Sequence, residues 1–177
     1  MTAKPVLRWA TPADLPALRA MMARAIAELQ RDFLSPAEVD ASKAMMGLDT
    51  QLIEDGCYVL AEVDGQLAGS GGWSRRATLY GGDHSAGRDA RLLDPATEPA
   101  RIRAMYTDPA FARRGIGRAV LQACEAAARE AGFARVELIA TLAGQPLYLA
   151  AGFLPIERII DSNGAVPVPL VRMGKAL

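Results

Sequence analysis

The residues of this 177-residue chain best placed to do chemistry lie in one stretch, Met105-Tyr106-Thr107-Asp108-Pro109-Ala110-Phe111-Ala112-Arg113-Arg114-Gly115-Ile116-Gly117-Arg118. A strand ends there, a proline turn follows, and a helix opens on two glycines one residue apart. The first-turn N–H groups of a helix have no partners inside it, and the helix dipole is positive at that end. Glycine lets an anion approach such a backbone without a Cβ in the way, and Arg113, Arg114 and Arg118 add local positive charge. The combination is that of a pyrophosphate cradle. A dinucleotide-binding turn of the Rossmann type needs a third glycine three residues after the second, where this chain has Val120. The plainer alternative is a glycine-containing helix start whose arginines face solvent.

The elements that must position this stretch are legible on either side. Val6–Ala10 reads as a first strand, and Thr11-Pro12-Ala13-Asp14 opens a helix with a hydroxyl cap, a proline and an acid in the first turn. Leu15, Leu18, Met22, Ile26 and Leu29 then form an apolar stripe. Ser35-Pro36-Ala37-Glu38 is a capping box that starts a second helix ending near Gly47, and Thr50–Glu54 is a helical turn. Cys57–Val63 and Gln66–Trp73 flank Asp64-Gly65 as a hairpin. Ser74–Pro99 is a long glycine- and proline-bearing connection without sustained period. Arg101–Thr107 is a strand. Gly115–Ala131 is a helix burying Ile116, Val120, Ala123, Cys124, Ala127 and Ala131, with Glu125 outside that stripe and Gly132 as its stop. Arg135–Ala140 is a strand, Thr141 a cap for a short helix to Ala150, and Phe153–Ile159 another strand. Asn163-Gly164 turns into a last strand, Ala165–Met173, which Pro167 and Pro169 place at an edge or bulge. This order implies a mixed α/β sheet with helices on both faces.

Twenty basic residues balance twenty acidic ones, so no overall field recruits nucleic acid or an anionic membrane, and any anion must be held by local geometry. A chain of this length, 51% hydrophobic and 23% charged, reads as one globular domain over residues 1–177. Cys57 and Cys124 lie in apolar stretches and read as reduced core residues; two thiols make no multi-cysteine metal site, and none is expected. The opening residues lack the apolar run of a signal peptide, and no stretch approaches the roughly 18 apolar residues of a membrane span. The expected address is the cytoplasm.

The segment Phe111–Leu121 resembles the acetyl-CoA loop of the GCN5-related N-acetyltransferase (GNAT) family. Leu147-Tyr148-Leu149-Ala150-Ala151-Gly152-Phe153 is similar to that family's tyrosine helix and Gly-Phe exit, and Arg8–Leu15 to its usual opening. The resemblance runs from first strand to last in the family's order. It departs at Ala112, where the family usually has Gln or Arg, and at Thr141, where it often has a cofactor-binding Asn. Arg113 stands beside the first position, and the Thr141 hydroxyl offers one bonding option fewer than an amide.

The resemblance implies a mostly antiparallel sheet of about seven strands with one splayed parallel pair, Arg101–Thr107 and Arg135–Ala140. The pantetheine arm of acetyl-CoA would enter the gap, pairing with backbone around Met105, Tyr106 and Thr107. Its phosphates would sit on residues Arg113, Arg114, Gly115, Ile116, Gly117 and Arg118, with Thr141 and Tyr148 completing the cofactor contacts. An amine would attack the thioester directly, through a tetrahedral intermediate, with Tyr148 as the acid for the departing thiolate; otherwise Tyr148 is a core aromatic. A backbone N–H aimed at the oxyanion is worth roughly 3–4 kcal/mol in comparable acyl transfers. An amine of pKa about 10.4 must lose a proton first. Glu28, Asp108, Glu137, His84 and a water chain are all open as the base. Trp73 and Tyr80 are candidates for an acceptor pocket. The expected partner is a small-molecule or peptide amine, with a second subunit possible through the last strand. A non-catalytic acyl-CoA sensor on the same fold is the competing reading.

Overall fold

The computed structural model describes residues 4–177. Strand β1 (Val6–Trp9) runs into a single 3-10 turn at Pro12–Asp14, where the Asp14 carboxylate accepts from the Thr11 N–H at 2.8 Å. Helix α1 (Leu15–Glu28) follows and buries Leu18, Met21, Met22, Ala25 and Ile26. Helix α2 (Pro36–Ser42) starts on the predicted capping box, with Ser35 Oγ accepting from the Glu38 N–H at 3.2 Å and Glu38 Oε2 from the Ser35 N–H at 2.8 Å. It ends at Ser42, short of the expected Gly47. The Ser42 hydroxyl bonds back to its own turn at Val39 (2.7 Å) and accepts from Gln30 Nε2 (3.0 Å), so this buried polar group is satisfied without further helix. Helix α3 (Thr50–Glu54) is capped by Asp49.

Strands β2 (Tyr58–Val63) and β3 (Gln66–Ser74) are joined through Asp64 and Gly65, both at positive φ (51° and 76°), the conformation that matches strand twist in a two-residue hairpin. There follow β4 (Ala100–Thr107), α4 (Ile116–Glu130), β5 (Arg135–Thr141), α5 (Gln145–Ala150), β6 (Leu154–Asp161) and β7 (Val168–Ala176). They complete a seven-stranded sheet in the order β1-β2-β3-β4-β5-β7-β6, antiparallel everywhere except between β4 and β5. Alternate residues of β2 serve opposite faces: Val59 and Ala61 join the core beneath α4, while Tyr58 and Leu60 join the one beneath α1. This is the mixed α/β class the sequence implies.

Three expectations need correction. On α4, Glu125 is not on the solvated face: it is buried, and Lys175 Nζ reaches both its oxygens at 3.0 Å, so the charge is neutralised across 50 residues of chain. Thr141 does not cap α5 directly; it ends β5, its hydroxyl accepts from the Gly144 N–H at 3.1 Å, and Gly144 is the cap. The last strand, expected at an edge or bulge, is not an edge strand, and the irregularity in its pairing with β6 lies opposite Met173 and Arg172, away from Pro169. The strand lies between β5 and β6, and β6 is the edge. The prolines are tolerated because the β5 ladder stops at Thr141↔Leu170: Pro169 pairs only with β6, through Ile160, and Pro167 precedes the strand.

The parallel pair is joined only at Ala100↔Val136 and Arg101↔Glu137, after which the two strands diverge. A bulge in β4 accompanies the divergence. Gly72 pairs with Arg103 and Ser70 with Tyr106, so Ala104 and Met105 both oppose Gly71, and Ala104 has a φ of 50°. Such an insertion bends a strand and increases its twist. A Cβ on Gly71 would overlap Met105 Sδ and Val120 Cγ1, so the crowded side of the bulge has room for hydrogen alone.

Candidate active site

The cradle is built from the turn after β4. Asp108 caps it, with Oδ1 accepting from the Ala110 N–H at 2.9 Å and Oδ2 bonded to Arg24 Nη2 at 2.5 Å. Arg113 and Gly115 then take left-handed conformations, φ 61° and 79°, a conformation uncommon for arginine. From Arg113 to Arg118 no N–H donates to any acceptor among the described residues. Successive free amides turned to one side by alternating backbone form an anion-binding concavity, here continuous with the positive end of α4. Ile116 contributes its amide only, since its side chain is in the core, while Arg113, Arg114 and Arg118 are exposed. Arg114 lies over the Phe111 ring at 5.0 Å.

The start of α4 adjoins the mouth of the split. A Cβ on Gly117 would come to 3.0 Å from Leu147 Cδ2 and 3.7 Å from Thr107 Oγ1, so the helix start rests between α5 and the end of β4. The Asp108 N–H donates to the Ala68 carbonyl at 2.9 Å. Strand alternation therefore turns the N–H and C=O of its neighbour Thr107 away from β3, toward the side where β5 is no longer paired.

A cavity of about 110 Å³ occupies the gap. Ala104, Met105, Thr141, Gly144 and Tyr148 line one part of it, and Met45, Gly47, Tyr80, Gly81 and Arg103 another. Tyr148 is largely buried, its ring set edge-on to Phe153 at 5.8 Å, and its hydroxyl bonds to nothing among the described residues. Burial raises its pKa well above the ordinary tyrosine value, so the phenol stays protonated through the physiological range. Tyr106 points the other way: its hydroxyl accepts from the Gly47 N–H at 2.8 Å, and burial pushes its pKa up to about 12. Among the expected cofactor residues, then, Met105, Tyr106, Thr141 and Tyr148 line the cavity, Thr107 lies at its mouth, and residues 113–118 form the cradle beyond.

The proposed bases fall elsewhere. Glu28 is exposed and lines no cavity described. Asp108 is occupied by its cap and by Arg24, and Glu137 by Arg101 (3.2 Å) and Arg172 (2.6 Å). His84 Nε2 lies 2.7 Å from the Lys43 carbonyl and borders a neighbouring groove of about 610 Å³ between α1 and the residue 43–48 segment, with Gly47 common to both spaces. Trp73 is core, edge-on to Phe133, whereas Tyr80 lines the inner cavity and donates to Asp161 Oδ2 at 2.9 Å.

The sequence reading did not find Met45, Gly47, Gly81 or Arg103. The long connection brings them together: the Asp83 N–H donates to the Leu48 carbonyl at 2.9 Å and Ser85 Oγ to Ala44 at 2.9 Å, pinning residues 81–85 onto 43–48. Arg101-Ile102-Arg103 could have drawn notice, because two arginines inside a strand buried on both faces require dedicated partners.

Among the described residues no three His, Cys, Asp or Glu side chains are grouped to hold a metal, and no helix is long and apolar enough to cross a membrane. Curated proteins include none that matches this sequence. Solved structures do. A GCN5-related N-acetyltransferase from Rhodopseudomonas palustris has a TM-score of 0.74 at 18% identity, over 100% of this chain and 98% of that one. PaiA N-acetyltransferase from Thermoplasma acidophilum, in complex with coenzyme A, has 0.67 at 14% identity, over 98% and 99%. YncA from Salmonella typhimurium, with acetyl-CoA, has 0.64 at 18%, over 98% and 94%. At such identities the likeness is one of fold. The model of the acetyltransferase (GNAT) family matches residues 23–153, most of the chain, with the cradle, the split strands and Tyr148 inside that span. The chain belongs to the acetyltransferase (GNAT) family.

Proposed function

We propose that residues 1–177 form one catalytic domain that transfers the acetyl group of acetyl-CoA to a primary amine of a small molecule or peptide. The observation that carries this reading is the run of unpartnered amides at 113–118 beside strands that separate just where Tyr148 faces a cavity. That site fits a coenzyme A: the amides and Arg113, Arg114 and Arg118 take the phosphates, Thr107 offers backbone to an extended arm, and Met105 and Thr141 flank its inner end. Acetyl-CoA supplies the activated thioester. The chain's part is to hold the acyl carbon near Tyr148 and to keep that phenol protonated by burial. No carboxylate lines the inner cavity among the described residues, so water takes the amine proton.

The missing carboxylate is also what an acyl-CoA sensor would show, and one experiment separates the two. Binding of coenzyme A is measured by calorimetry, and thiol release from acetyl-CoA is followed across a broad amine panel. Micromolar binding with amine-dependent thiol release is expected. Binding without turnover on any amine favours the sensor, and no binding at all refutes the cradle.

A further inference from the structure

The acceptor end of the cavity carries one charged lining residue, Arg103. This side chain is 3% exposed and comes from the bulged part of β4. Its Nη2 donates to Asp49 Oδ2 at 2.8 Å and to the Gly81 carbonyl at 2.5 Å. Nε and Nη1 donate to nothing among the described residues. Asp49 makes no further bond to Arg103, and its other oxygen accepts from Arg88 Nη2 at 2.8 Å and the Gln51 N–H at 3.1 Å. Two guanidiniums thus share one buried carboxylate. The other carboxylate behind the wall, Asp161, is filled by the Tyr80 hydroxyl and by Asn163 at 2.8 Å, and Asp55 is filled by Arg76 at 2.7 and 2.8 Å. Neither Nε nor Nη1 of Arg103 is fully buried, so both meet open space within reach of an acceptor from outside the chain; Arg103 lines the inner cavity and also the smaller one beside Arg76 and Arg88, and arginine keeps its charge there. Met45, Met46, Leu79, Ile139 and Leu170 supply the rest of that end with apolar surface.

We propose that Arg103 is the anion-recognising residue of the acceptor site, and that the acceptor is a small amine bearing a carboxylate and an apolar body, of free amino-acid type. This rests on the acetyl-transfer reading and narrows its substrate class. A bidentate guanidinium–carboxylate pair orients the substrate as well as binding it. In the step itself the nitrogen lone pair forms the C–N bond, the thioester C–S bond breaks, the thiolate takes a proton from Tyr148, and the amine proton, relayed through water, restores the phenol. Polyamines and peptide N-termini lack the carboxylate and are excluded from this class.

The test uses the protein saturated with coenzyme A and matched ligands: leucine, methionine and phenylalanine, each against its carboxamide and its decarboxylated amine. Calorimetry reads binding, and thiol release from acetyl-CoA reads turnover. The carboxylate members are expected to bind about 10- to 100-fold more tightly, even though the carboxamides hold more free amine at neutral pH. Arg103→Met is expected to bring each pair within about threefold, and Arg103→Lys to restore part of the preference. The wild-type comparison stands even if Arg103→Met fails to fold. Equal binding across the pairs, preference for a diamine or peptide, or no binding by any member overturns the proposal; the donors would then face the smaller cavity beside Arg76 and Arg88 instead. Carboxylate-selective binding without any thiol release would refute acetyl transfer and leave the anion site standing.

Discussion

Replacing Tyr148 with phenylalanine separates chemistry from packing unusually cleanly. The hydroxyl has no partner among the described residues, so no intramolecular hydrogen bond is lost, and a typical one would be worth about 0.5–1.5 kcal/mol. The ring keeps its edge contact with Phe153 at 5.8 Å. Stability measured by urea unfolding should therefore stay within about 0.5 kcal/mol of wild type. Turnover behaves differently. Without the phenol, the departing thiolate leaves unprotonated or waits for water, and general-acid contributions begin at about 10²-fold, or ~2.7 kcal/mol on the barrier. Because burial holds the Tyr148 proton above the ordinary tyrosine range, the group does not titrate between pH 6 and 10. The pH profiles of wild type and variant should accordingly share one shape across that window, offset by two decades in kcat. Steady-state thiol release at saturating acetyl-CoA and amine reads this directly. A kcat within twofold of wild type removes Tyr148 as the acid, and a large stability loss shows that the ring environment depends on the hydroxyl after all.

Gly117→Glu places a side chain and a negative charge in the proposed phosphate site, against Leu147 and Thr107, and should abolish coenzyme A binding by calorimetry while the far-ultraviolet circular dichroism stays native. Gly115→Ala meets no atom within 4 Å, so its cost is that of the left-handed backbone alone, about 1–2 kcal/mol, visible as lower stability or as a 5- to 30-fold weaker affinity. Gly71→Ala collides with Met105 and Val120 and should cost about 1–3 kcal/mol on unfolding, a loss that Met105→Ala partly relieves. The bond from Arg8 lowers the Asp14 pKa from 3.8 to about 2. A depressed carboxylate stabilises the fold above about pH 4 and loses that effect as pH falls toward 2, so the advantage of wild type over Arg8→Gln should be full above about pH 4 and shrink between about pH 4 and 2. With Arg8 partly exposed the gain is on the order of 1 kcal/mol, read from unfolding midpoints.

Local chemistry made much of this molecule readable. Thr11, Ser35 and Gly115 announce helix starts because caps act within three or four residues, and Asp64-Gly65 announces its hairpin because φ is set residue by residue. The cradle was legible for the same reason: its amides belong to consecutive residues. What stayed hidden depends on segments far apart in the chain. Nothing near Pro169 says that β5 stops level with Leu170, and so the prolines read as marking an edge or a bulge. Glu125 finds Lys175 fifty positions later, and Arg103 finds Asp49 fifty-four positions earlier. Ala104 adopts a positive φ without any local preference for it, inside the bulge, where its carbonyl accepts from the Tyr58 hydroxyl at 2.9 Å.

The short rung between β4 and β5 gives the sheet a hinge line. Four strands lie in the leaf on one side of that line and three in the leaf on the other. They are riveted at the closed end by Glu137, which Arg101 grips from one leaf and Arg172 from the other. From Arg101 to Thr107 the free flap is roughly 20 Å long at about 3.3 Å per residue, so tilting the leaves by a few degrees opens the mouth by about an ångström. An extended ligand lying in that seam supplies the absent rungs. The protein's rigidity and its cargo are then the same thing.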